Sequence, residues 1–202
     1  MAVRIDLRSD PIRIEKEESK YDTFVRDFMA CWPEGWRQVI VSGYVALMFG
    51  RERMTEDIDM LVERPTAAQF QALWSCLHER GFWCLQTGNP ASALNEYLLQ
   101  GTAVRFAIKD TVEPNFEVKV VADKAGRTAL ADRLQVLLNG RPLWIGPLEM
   151  QVAYKLRLGS DKDLEDARHL WGALKGRLKA AAVESWAREL GVPAERVRRL
   201  MA

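Results

Sequence analysis

Asp57 and Asp59, two residues apart, are the first feature of this sequence with chemical content. In an extended segment the side chains at i and i+2 share a face, so both carboxylates project together while Ile58 turns toward a core. Paired carboxylates offering only oxygen donors suit Mg²⁺, a hard cation that keeps phosphate oxygens among its ligands. Upstream, the apolar run Val39-Ile40-Val41 ends at Ser42-Gly43 and gives way to a helical pattern. A strand-to-helix turn with a small hydroxyl and exposed N–H groups is a natural seat for phosphate, and glycine admits close approach to the backbone. Asp-x-Asp by itself is a common solvated strand end. The Ser-Gly turn before it is what makes the pair informative.

The elements that must hold these groups follow from periodicity. Phe24, Phe28, Met29 and Trp32 recur at helical spacing over Tyr21 to Trp36, until Pro33 and Gly35 break the pattern. Residues 37–41 read as a buried strand, Tyr44 to Phe49 as the helix after it, and Asp57 to Val62 as a second strand. Pro65 is expected to open a helix that runs to Arg80 and stops at Gly81. The middle of the chain reads as strands at 82–85, 103–109 and 115–121, with a helix over Ala91 to Leu99. Asn139-Gly140 between two apolar runs signals a hairpin with a type I′ turn. Beyond Gly146-Pro147 only helical patterns follow, at 148–158, 162–174, 180–190 and 194–201. The expected organisation is a charged N-terminal arm over residues 1–20, an α/β core over 21–146 and a C-terminal helical subdomain over 147–202.

These residues resemble the nucleotidyltransferase superfamily, the fold of DNA polymerase β, and within it the minimal prokaryotic branch that includes AbiEii-type toxin nucleotidyltransferases. Ser42-Gly43 and Asp57-Ile58-Asp59 match the signature, with Arg53 and Thr55 in its lead-in. Pro147, Glu149, Lys155, Lys162-Asp163 and Asp166 match a second, C-terminal pattern. The resemblance implies an α/β (α+β) fold: a mixed β-sheet core flanked by helices, with a C-terminal helical cluster. It also implies transfer of an NMP from an NTP to an acceptor hydroxyl of RNA, protein or a small molecule. A two-metal Mg²⁺ site would be held by Asp57, Asp59 and a third carboxylate, and Ser42, Gly43, Arg53 and Lys155 would bind nucleotide. A toxin role with a cognate antitoxin follows from the same likeness.

The third carboxylate departs from the pattern. In the register of the family's strand, Lys119 stands where an acid belongs, and Glu117 lies two residues away on the same side. Either Glu117 serves as the third metal ligand from a shifted position, or Lys119 neutralises the aspartate pair and leaves a catalytically silent nucleotide- or protein-binding module.

Other chemistry-bearing residues have plainer readings. Arg51 and Arg53 suit either a triphosphate or a solvated loop. Lys155 either reaches a phosphate or snorkels from its helix. Asp163, Asp166 and His169 fit a helix start capped by Ser160 or Asp161 better than a metal site. Cys76, His78 and Cys84 are too few for a soft metal, and the cysteines read as core. Two histidines, both on predicted helices, leave no Ser-His-Asp set.

Composition narrows the classes further. The chain has 202 residues, of which 48% are hydrophobic and 28% charged. This is a globular composition, and the length suits one domain with an appendage. A net charge of +1 argues against a broad duplex-DNA surface. No apolar run approaches the roughly 20 residues that span a bilayer, and the charged start lacks a signal-peptide core. Three cysteines without a CxxC pair suggest a soluble, reduced, cytoplasmic protein.

Overall fold

The computed structural model describes residues 3–202. In chain order the elements are β1 (Arg4–Asp6), β2 (Ile12–Glu15), α1 (Lys20–Met29), β3 (Gln38–Ile40), α2 (Gly43–Met48), β4 (Asp57–Val62), α3 (Ala67–Glu79), β5 (Phe82–Cys84) and α4 (Pro90–Ser92). After α4 come a π-helical stretch, Ala93–Tyr97, and a 3₁₀ turn, Leu98–Gln100. β6 (Val104–Ile108), β7 (Asn115–Val120), α5 (Lys124–Ala131), β8 (Leu134–Leu138) and β9 (Arg141–Ile145) complete the strands. The helices α6 (Leu148–Leu158), α7 (Asp161–Ala173), α8 (Ala180–Glu189) and α9 (Ala194–Met201) close the chain. The protein is a mixed α/β fold made of two compact units. One comprises residues 18–44 and 54–131; the other comprises 3–17, 45–53 and 132–202.

The first unit carries Ser42, Gly43, Asp57, Asp59 and Glu117. Its strands lie in the order β3-β4-β7-β6-β5. β4 runs parallel to β7 and antiparallel to β3, while β6 is antiparallel to both β7 and β5. Along β4 the alternation is strict: Ile58, Met60 and Val62 are fully buried, which turns Asp57 and Asp59 to the opposite face. Full burial of each such side chain is worth about 1.5–3 kcal/mol, and a slip of one residue would bury the carboxylates instead. An aromatic cluster fills the buried side, with Phe28 stacked on Phe116 at 3.8 Å and Phe24 beside them at 5.4 Å from Phe116.

Helix α1 begins in a reciprocal capping box between Ser19 and Asp22, and α3 in one between Thr66 and Gln69. The hydroxyl of Thr66 takes the Gln69 N–H, so α3 starts after Pro65 rather than at it. Helix α1 ends at Met29, short of the expected Trp36. Cys31 follows it and forms a disulfide with Cys76 of α3, the two Cα atoms 5.5 Å apart. This corrects the expectation of reduced core cysteines. The fold brings two cysteines 45 residues apart in sequence within bonding reach. Cys84 remains a buried free thiol.

In the second unit β1 pairs antiparallel with β2, β2 parallel with β8, and β8 antiparallel with β9. The expected arm over 1–20 is therefore corrected within the described residues. Ile12 and Ile14 are buried at alternate positions of β2, and the unit includes residues before 21. The β8–β9 hairpin turns at Asn139 (φ 49°) and Gly140 (φ 78°), the two positive angles that a type I′ turn requires. Helices α7 and α8 both pack on α6. Among the described residues no helix is long and apolar enough to cross a membrane.

Candidate active site

The face of β4 that bears Asp57 and Asp59 continues onto its neighbours. In register, Asp57 faces Asn115 and Asp59 faces Glu117 of β7, and Glu117 in turn faces Arg105 of β6. Ser42, just past β3, hydrogen-bonds the Asp59 carboxylate from the other flank. Asp59, Glu117 and Arg105 thus form a row across β4, β7 and β6, with Ser42 beside it at the end of β3.

Several contacts hold this row in place. The Asp59 carbonyl accepts the Val41 N–H at 3.0 Å, fixing the end of β3 against β4. Thr55 donates its hydroxyl to the Asp57 carbonyl at 3.0 Å, and the Thr55 N–H donates to the Tyr21 hydroxyl at 3.2 Å. The Tyr44 hydroxyl donates to Asp22 at 2.8 Å, and Asp22 also accepts from Ser19 at the start of α1. Burial first, and then the Asp22 charge, push the Tyr44 phenol well above the ordinary tyrosine range. Helix α1 therefore braces both the Ser42-Gly43 turn and the entrance to β4. No local signal marks Tyr21, Asp22 and Tyr44 as positioning residues, because their partners lie far along the chain. Asn115 donates to the carbonyls of Glu56 and Val112, each at 3.2 Å, and so anchors the same entrance.

In the Ser42-Gly43 turn the positive φ falls on Ser42, at 63°. A residue with a Cβ in this region costs roughly 1 kcal/mol, and here it aims the hydroxyl at Asp59. Helix α2 has only six residues, so any phosphate seat rests on the hydroxyl and local N–H groups rather than on a long helix dipole.

The electrostatics separate the three carboxylates. Asp59 has its pKa raised from 3.8 to about 6, by burial and then by repulsion from Asp57, with Lys119 opposing. Glu117 behaves differently. Burial alone would raise it, but hydrogen bonds and charge from Lys119 and Arg105 outweigh burial and hold it below the ordinary glutamate range. Arg105 Nε donates to Glu117 Oε2 at 2.7 Å, Arg105 Nη2 contacts the same oxygen, and Lys119 Nζ contacts Oε1. Lys119 Nζ lies 4.0 Å from Asp59.

A divalent cation fits Asp57 and Asp59. They form an all-oxygen donor pair under mutual repulsion, which Mg²⁺ would relieve. Glu117 is a poor third ligand in this arrangement, because both of its oxygens are engaged. Among the described residues no three acidic, histidine or cysteine side chains converge as a ready metal site. Lys119, the alternative seen in the sequence, binds Glu117 more closely than the aspartate pair.

The remaining candidates lie in the second unit. Arg53 makes two 2.9 Å hydrogen bonds to Asp166. Lys155 lies 2.9 Å from Asp163 and 3.0 Å from Asp166, and Arg51 pairs with Glu165. Asp166 is fully buried, and the side chains of Lys155 and Arg53 are 4% and 9% exposed. Arg53 and Lys155, expected on nucleotide phosphates, are here committed to a buried ion network. Ser160 caps α7 as expected, and His169 contacts the Phe49 carbonyl at 3.0 Å.

Two structures of the antibiotic-resistance factor ANT(2'')-Ia share this fold. Its solution structure is similar with a TM-score of 0.56 at 15% identity, over 86% of this chain and 92% of that one. Its crystal structure in complex with adenylyl-2''-tobramycin is similar with a TM-score of 0.55 at 16% identity, over 85% of this chain and 97% of that one. What these similarities define is a shared fold. No protein-family model and no curated protein matches the sequence.

Proposed function

We propose that the protein transfers an NMP from a nucleoside triphosphate to an acceptor hydroxyl, with one Mg²⁺ held by Asp57 and Asp59. The observation that carries this reading is the pair itself. Two carboxylates share one face of β4, one of them is forced up to about 6, and Ser42 is bonded to it at the strand-to-helix turn. Mg²⁺, when bound, would neutralise phosphate charge and polarise the α-phosphate. Ser42 orients Asp59, and N–H groups of the Ser42-Gly43 turn seat the outer phosphates. Glu117, kept ionised by Arg105 and Lys119, fixes those two cations on the flank from which the acceptor presents its hydroxyl oxygen. That oxygen forms a bond to the α-phosphorus, the bridging P–O bond breaks, pyrophosphate leaves with the electron pair, and the acceptor proton passes to water. Positioning and charge neutralisation carry most of such catalysis, so no histidine base is needed.

A second reading has its own observation. Both oxygens of Glu117 are engaged by cations, as they would be in a module that binds nucleotide without transferring it. Pyrophosphate release from each of the four NTPs, with and without Mg²⁺, decides between them. The acceptors supplied are tobramycin, a sugar phosphate and RNA. Mg²⁺-dependent release that falls at least a hundredfold in Asp57→Asn supports the transferase. Nucleotide binding with no release under any condition supports the silent module.

A further inference from the structure

Glu117 and its two cations are layered. The glutamate is 5% exposed, whereas the Arg105 and Lys119 side chains that clamp it are 48% and 42% exposed. A molecule arriving from solvent therefore meets a guanidinium and an ammonium, with the carboxylate beneath them. Lys119 also faces Asp59 at 4.0 Å, whereas the Arg105 guanidinium, among the described residues, is directed at Glu117 alone. Arg105 uses Nε and Nη2 on Glu117, and its Nη1 takes no acceptor among the described residues, so a half-exposed guanidinium keeps an open donor.

The strand order gives this surface a place in the reaction. Ser42 flanks Asp59 on the β3 side, while Lys119 of β7 and Arg105 of β6 lie on the other. Attacking and leaving oxygens stand roughly in line across the phosphorus in phosphoryl transfer. With the leaving phosphates at Ser42, the attacking group comes from the side of Glu117 and Arg105. Adjacent strands are about 4.8 Å apart, which puts Arg105 roughly 5–10 Å beyond the metal-binding pair, a small-molecule length.

We infer that the acceptor carries a phosphate or carboxylate beside its reacting hydroxyl, and that Arg105 and Lys119 recognise this anion. The inference rests on the transferase reading of the same site. It separates this chain from a polycationic acceptor such as tobramycin, which would approach two positive charges. Arginine supplies paired donors suited to either anion, and lysine a point charge.

The test uses the full chain saturated with Mg²⁺ and the NTP it binds best, titrated calorimetrically with ribose 5-phosphate, ribose and tobramycin. Ribose 5-phosphate is expected to bind best. Its affinity should fall about tenfold or more in Arg105→Gln and in Lys119→Gln, and fall less in Arg105→Lys. Preference for tobramycin, or equal affinity across wild type and variants, overturns the inference. Loss of NTP affinity in Arg105→Gln also overturns it, by assigning the cations to the nucleotide's own phosphates. If no NTP binds, the transferase reading fails first. The anion site is then read separately by the Arg105 Nε resonance during titration with inorganic phosphate, where no response refutes it.

Discussion

Asp59→Asn is expected to make the protein more stable while removing a ligand of the proposed metal. Asn keeps the size of the side chain and an oxygen able to accept from Ser42, but it carries no charge. The native carboxyl titrates at about 6, whereas an unfolded one titrates near 3.8. The folded state therefore binds more protons between those values, and stability falls as pH rises from about 4 to about 6 and stays lowered above that. At about 1.4 kcal/mol per pH unit, the ionised Asp59 costs about 3 kcal/mol at pH 8. Its side chain is 26% exposed, so screening brings the expected gain for Asn to about 2–3 kcal/mol, a Tm rise on the order of 5–10 °C. Urea denaturation at pH 8 and pH 4 measures it, and the difference between variant and wild type should shrink toward zero at pH 4. A variant less stable than wild type at pH 8, or a difference independent of pH, would refute this electrostatic account.

Three further outcomes follow from other parts of the structure. Cys31→Ser/Cys76→Ser opens a loop closed over a separation of 45 residues, and loop entropy sets the loss at about 4 kcal/mol. Denaturation with and without reductant reads it, and a thiol titration of the denatured, unreduced chain should find only Cys84. Asp166→Ala removes the buried carboxylate that holds Arg53 and is one of the two that hold Lys155, and should cost about 3 kcal/mol, with Asp166→Asn milder, by chemical denaturation. Ser42→Gly relieves the positive φ, worth about 1 kcal/mol, but removes a hydrogen bond to ionised Asp59, worth about 1.5–3 kcal/mol. Stability at pH 8 should therefore fall by about 1–2 kcal/mol. Loss of its hydroxyl from Asp59 should meanwhile weaken Mg²⁺–NTP binding, so unchanged binding would remove Ser42 from the site.

The strand bearing Asp57 and Asp59 was legible because its alternation is unbroken: Ile58, Met60 and Val62 inward, the acids outward. The Asn139-Gly140 hairpin and the four C-terminal helices were legible because their signals are local. The N-terminal strands were hidden, since Ile12 and Ile14 alternate with charges in a charge-rich stretch that reads as solvated. Helix α5 carries little local signal, because it is short and contains Gly126. The Cys31–Cys76 bond depends on how α1 and α3 come together, which no spacing reveals. The same holds for the site's supports. Asp57 and Asp59 announce themselves within three residues, but Arg105 joins them only through the order β4-β7-β6, and Asp22 meets Tyr44 only in the folded chain. Arg53 and Lys155 show the converse: phosphate-suited side chains that the fold spends on Asp166.

The central claim is that Asp57 and Asp59 hold a metal that the nucleotide shares. Calorimetry of ATP, CTP, GTP and UTP binding, in Mg²⁺ and then in EDTA, on wild type and Asp57→Ala/Asp59→Ala, tests it most directly. The account predicts binding of at least one nucleotide that is lost in EDTA and lost in the double variant. Binding indifferent to both Mg²⁺ and the aspartates would contradict it.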